Sequence, residues 1–78
     1  MGTYIATFFS HIGAVRFGRT LRALGVEHVL MPVPRRVSSS CGTCVRFTAD
    51  ALPPLEEPEL EALYRQQDEI YQQILSNL

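Results

Sequence analysis

The sequence contains no lysine, so all of its cations are arginines and Schiff-base chemistry has no side chain to run on. It holds only two cysteines, Cys41 and Cys44, too few to staple a 78-residue chain with a set of disulfides. It also lacks a long apolar run. Stretches such as Tyr4-Ile-Ala fall far short of the about 20 residues that a bilayer span requires, and no basic-then-apolar leader opens the chain. Met1-Gly2 does not begin a myristoylation site, because Ala6 stands where Ser or Thr is needed. These absences lead to the expectation of a cytoplasmic protein with no membrane partner. Thiols in that compartment rest reduced, so a cysteine pair there points to redox, metal or sulfur chemistry before a structural crosslink.

Acids are scarce in the first part of the chain. Residues 1–48 carry six arginines against Glu27 alone, whereas residues 49–78 carry seven acids against Arg65. The overall charge of −1 therefore conceals a basic half, suited to an anionic ligand, and an acidic half that can neutralise it within the fold or across a dimer. With 46% hydrophobic residues, residues 1–78 read as one compact domain. A core of that size supplies only about 3–5 kcal/mol, which makes a homodimer a reasonable expectation.

Thr3 to Phe9 is rich in β-branched and aromatic residues and reads as a strand. Ser10 offers an N-cap, and Ala14, Phe17, Gly18, Leu21 and Leu24 follow at helical spacing up to Gly25, a natural C-cap. Val26 to Val33 reads as a second strand, stopped by Pro32 and Pro34. Arg35 to Gly42 has loop composition, and Thr43 to Thr48 alternates as a short third strand with Val45 and Phe47 on one face. Residues 3–48 thus form a β-α-β-β core carrying a cysteine loop. Residues 49–58, with Pro53, Pro54 and Pro58, read as a linker. In residues 59–77 an apolar stripe through Leu60, Leu63, Tyr64, Ile70, Tyr71 and Ile74 predicts an amphipathic helix.

The expected fold is α+β, a ferredoxin-like β-α-β-β-α two-layer sandwich. Its three-stranded sheet has the third strand inserted antiparallel between the first two and both helices on one face. Ile5, Phe9, Val29, Met31, Val45 and Phe47 are the candidates for the helix-covered face, leaving Tyr4, Phe8 and Leu30 for the other, where an apolar surface would suit a partner.

The segment that carries chemistry is Met31-Pro-Val-Pro-Arg-Arg-Val-Ser-Ser-Ser-Cys-Gly-Thr-Cys-Val-Arg-Phe47. Cys41-Gly-Thr-Cys44 fits the C-x-x-C pattern of dithiol redox proteins, but those place the pair before a helix whose dipole favours the thiolate, and here a strand follows. A zinc site would need two further ligands, and only His11 and His28 are on offer, so no metal is expected. Treated singly, Cys41 ends a loop between Arg35, Arg36 and Arg46, with the amides of Ser38 to Gly42 able to face one anion and Gly42 leaving the sulfur accessible. His11 is a possible base for it. Cys44 reads as a strand residue facing away from Val45. Nucleic-acid binding is not expected, because the helical stripe Arg16, Arg19 and Arg22 has no stacking aromatic among its members.

Pro32, Pro34, Arg35, Val37, Ser38, Ser39, Cys41, Gly42 and Arg46 stand in the order that resembles the small bacterial selenium/sulfur carrier-like family. The resemblance implies a strand-helix-strand, a cysteine loop and a short further strand. It also implies a shuttle, rather than a turnover enzyme, with no cofactor. Cys41 would accept sulfur or selenium from a donor such as a cysteine desulfurase and hand it to an acceptor protein. Arg35, Ser38, Ser39, Gly42 and Arg46 would bind the anion, and Cys44 would stay idle or resolve the persulfide. A non-catalytic interaction module and a dithiol redox protein using Cys41 and Cys44 are the alternatives.

Overall fold

The computed structural model describes all 78 residues. Its elements run β1 (Gly2–Phe8), α1 (His11–Ala23), β2 (Glu27–Pro32), β3 (Thr43–Ala49), β4 (Leu60–Gln67) and β5 (Ile70–Ser76). All neighbouring strands pair antiparallel in one five-stranded sheet of order β2-β3-β1-β4-β5. The first half follows expectation: β3 lies between β1 and β2, with Tyr4 opposite Phe47 and Leu30 opposite Val45. Helix α1 ends at Gly25 in a Schellman arrangement. Gly25 sits at φ 71°, its amide donates to the Arg22 carbonyl, and the Val26 amide reaches back to that of Leu21.

The expected fold class is wrong in its second half. There is one helix of 13 residues, not two, and the sheet has five strands, not three, so the ferredoxin-like β-α-β-β-α sandwich is excluded. Residues 59–77, expected as an amphipathic helix, form the β4–β5 hairpin, which turns at Asp68-Glu69 with Asp68 at φ 55°. Glu, Ala, Leu, Gln and Arg favour helix locally, but β1 has a second edge whose amides and carbonyls need partners, and β4 supplies them from Thr3 to Phe8. The segment after β3 crosses instead over the layer where a second helix was expected. Pro53 is buried in it, Leu55 packs on the core, and Glu57 takes a bidentate ion pair from Arg16 of α1 at 2.8 Å.

One core fills the space between α1 and the sheet: Ala6 and Phe8 of β1, Ala14, Phe17 and Leu21 of α1, Val45 and Phe47 of β3, and Leu60 and Leu63 of β4. Phe17 joins the layers, its ring centroid 5.5 Å from that of Phe8 and 5.8 Å from that of Phe47. Val45 and Phe47 face α1 as expected. The phase of β1 and β2 is the reverse of that expected, since Tyr4, Phe8 and Leu30 are on the helix side and Ile5, Val29 and Met31 on the outer side. Both strands carry apolar residues in both phases, so alternation alone does not fix which row faces in.

The outer face is not bare. Ile5, Thr7, Cys44 and Ala62 lie on it with 0 to 1% of their surface exposed. Since α1 and the 50–59 segment lie on the other side, the cover is the 33–42 loop, whose buried side chain is Val37.

Candidate functional site

The cysteine loop leaves the sheet at the end of β2 and returns at the start of β3. The Val33 amide closes its neck on the Gly42 carbonyl at 3.1 Å, giving a compact loop with its ends together. Gly42 takes φ 76°, a left-handed conformation that a Cβ disfavours, and apart from its own chain neighbours no atom lies within 4 Å of where that Cβ would be. The glycine is thus required by the backbone turn, and it leaves open space beside Cys41.

Cys41 is half-buried and packs against the edge of the core on the α1 side. Its Sγ donates to the Thr43 carbonyl at 3.4 Å. The Thr43 hydroxyl is 3.2 Å from Nδ1 of His11, the first residue of α1, so the helix N-terminus and the cysteine loop share one end of the molecule. Ser10 adopts the extended N-cap conformation, but its side chain makes no cap bond, and its hydroxyl is buried without a partner.

Cys44 is different in kind. It has no exposed surface, its Sγ approaches the Pro32 carbonyl at 3.7 Å, and the two cysteines are not joined. Burial pushes its thiol up to about 11, the nearby Cys41 adds to the rise, and Arg46 opposes it. At neutral pH Cys44 is a protonated thiol under a covered face.

The residue that sequence reasoning missed is Glu61. It is 5% exposed, and its carboxylate receives the Ser40 amide at 3.1 Å and the Ser40 hydroxyl at 2.6 Å. The pairing of β1 with β4 slips between Thr7 and Phe8, so that Leu60 opposes Phe8 and Ala62 opposes Thr7. That bulge re-aims Glu61 at the loop instead of leaving it in the alternating row. The only clue available from sequence is a carboxylate inside the apolar run Leu60-Glu-Ala-Leu63, some twenty residues from the cysteine whose loop it grips.

The other expected site residues separate into two groups. Ser39 and Gly42 lie in the Cys41 loop, the Ser39 hydroxyl being buried without a partner, and Ser38 is exposed there. The arginines line depressions that do not include Cys41. Arg35 and Arg36 line a shallow depression with Glu69 and Tyr71 near the β4–β5 turn. Arg46 is exposed on the outer face of β3, between Glu27 and His28 on one side and Gln66 and Asp68 on the other. None of the three hydrogen-bonds the Cys41 sulfur. No group of three or more His, Cys, Asp or Glu side chains is placed to hold a metal ion, and no helix is long and apolar enough to cross a membrane.

Residues 3–71 match the family described as "Putative Se/S carrier protein-like". The chain is also 31% identical over 77 aligned residues to the protein of Escherichia coli (strain K12) called uncharacterized protein YtiA, covering 91% of this chain and 87% of that one. No solved structure matches it.

Proposed function

The chain belongs to the Se/S carrier protein-like family, and on that footing we propose that it carries sulfur or selenium on Cys41 as a persulfide or selenenyl sulfide. The observation that carries this reading is the contrast between its two thiols. Cys41 is half-buried at a loop neck, beside the open space at Gly42, while Cys44 is closed off and held protonated. A thiolate is the nucleophile in sulfur transfer, so a sheltered thiol with a raised pKa is unsuited to the task.

In the proposed cycle the Cys41 thiolate attacks the outer sulfur of a donor persulfide, such as that of a cysteine desulfurase. The donor cysteine leaves as its thiolate. An acceptor thiolate later attacks the outer sulfur on Cys41 and regenerates the starting thiol. The protein acts as a shuttle, and no bound cofactor enters either step. Ser39 and Gly42, which share the loop with Cys41, are candidates for meeting the sulfur's charge, together with Arg35 of the same loop and Arg46 of the following strand.

Incubating the reduced protein with a cysteine desulfurase and cysteine, then weighing it intact, tests the reading. The wild type and Cys44→Ala gain the mass of one sulfur atom, and Cys41→Ala does not. Equal loading of Cys41→Ala rules the proposal out.

A further inference from the structure

A carrier with a second cysteine three residues from its cargo site faces a specific hazard. If the Cys44 thiolate reached a Cys41 persulfide and attacked the Cys41 sulfur, a Cys41–Cys44 bond would form. The bond to the outer sulfur would break, and that sulfur would leave with its electron pair as hydrosulfide. The outer sulfur is reduced as the Cys44 sulfur is oxidised, the Cys41 sulfur exchanging one S–S bond for another, so no external oxidant is needed, and the Cys44 proton ends on water or on the sulfide.

The structure leaves the two thiols unjoined and in different surroundings. Cys41 packs on the α1 side of the sheet, whereas Cys44 belongs to the outer row with Ile5 and Thr7, beneath the 33–42 loop. Joining them would require the loop to lift. From residues 34–40 the only hydrogen bonds to any strand are the two that Ser40 makes with Glu61. Apart from these bonds, the loop is held by its neck and by the buried Val37. Glu61 is itself nearly sealed from water, which strengthens bonds to a charged acceptor and makes the clasp costly to break.

We propose that Glu61 is a positioning residue for Cys41: by gripping Ser40 it holds the loop closed over Cys44 and so preserves a sulfur atom carried on Cys41. The idea rests on the carrier reading for its purpose but not for its geometry, and the two are tested apart. Without any sulfur donor, the rate at which iodoacetamide alkylates Cys44 is followed in a Cys41→Ser background. Adding Ser40→Ala or Glu61→Gln raises that rate by roughly 10- to 100-fold, the scale expected for losing a charge-assisted hydrogen bond. Ser40→Thr, which keeps the hydroxyl, leaves it near the starting value. Ser40 is exposed, so its replacement decides the matter even if Glu61→Gln fails to fold. Unchanged Cys44 alkylation in Ser40→Ala, with amide protection of β1 and β3 intact, overturns the proposal.

In a second arm the protein with both cysteines is loaded with inorganic polysulfide and the release of hydrosulfide is timed. Ser40→Ala speeds release and yields the Cys41–Cys44 disulfide, and adding Cys44→Ala abolishes both effects. Failure of Cys41 to load counts against the carrier reading while leaving the alkylation result to judge the clasp. Loading followed by release that ignores Cys44 counts against the clasp alone.

Discussion

At Cys44 the sealed environment has a consequence for stability. Its thiol is raised from the ordinary 9.0 to about 11, first by burial and then by Cys41. A raised acid favours its neutral form in the folded state, so the contribution is whole below pH 9, declines as the unfolded thiol ionises, and is gone once pH passes about 11. Urea midpoints measured from pH 7 to 11 should therefore fall more steeply for the wild type than for Cys44→Ala, the two lines converging at the alkaline end. Gly42 offers a cleaner backbone test. Nothing obstructs a Cβ there, so Gly42→Ala carries only the cost of φ 76°, about 1 kcal/mol by denaturant titration, and leaves the core unchanged. Of the candidate site, the placement of Cys41 and Gly42 at the end of a loop was legible because a small flexible stretch ending in Cys-Gly is a local pattern. Glu61 was not, because its role comes from a strand pairing and a bulge between residues far apart in sequence.

Among the elements, the hairpin β4–β5 is the one whose local preferences oppose its structure. Leu63→Ala removes a side chain with no exposed surface from the core and should cost about 2–5 kcal/mol, whereas Gln72→Ala on the exposed edge should cost little. Asp68 stands at φ 55° in the two-residue turn, so Asp68→Val should destabilise by about 1–2 kcal/mol and Asp68→Gly should not, again by denaturant titration. Hydrogen exchange should show β4 amides protected like those of β1, with β5 fraying first because it is an edge with exposed Ile70 and Ile74. The elements that were legible, β1, α1, β2 and β3, carry their own punctuation: Ser10 and Gly25 around the helix, Pro32 and Pro34 after the second strand, and alternation through Val45 and Phe47. Residues 59–77 have a helical stripe and helix-forming residues, and only the unpaired edge of β1 overrules them. The same non-local dependence explains the reversed phase of β1 and β2, whose inward row is set by where Phe8 meets Phe17 and Leu30 lies beside Gly18 rather than by their own composition.

Across the whole molecule, the basic and acidic halves of the chain are folded onto one another. Arg16 pairs with Glu57, and Arg35 and Arg36 share a depression with Glu69. The Arg16 guanidinium holds the Glu57 carboxyl below its usual range, so this pair supports the fold above the ordinary carboxylate value and is lost as pH falls through the lowered one. Glu57→Gln should thus lower the thermal midpoint modestly at pH 7, and the difference from wild type should vanish in acid. The same fold that settles these charges divides the two thiols between an open end and a covered face. The most direct test of that division is to locate the sulfur after loading by a cysteine desulfurase, trapping the persulfide with an alkylating agent and fragmenting the tryptic peptide Val37–Arg46, which holds both cysteines. Fragment ions that place the extra sulfur on Cys41, with Cys44 unmodified, are the predicted result; the sulfur on Cys44, or shared evenly between the two, would contradict the account.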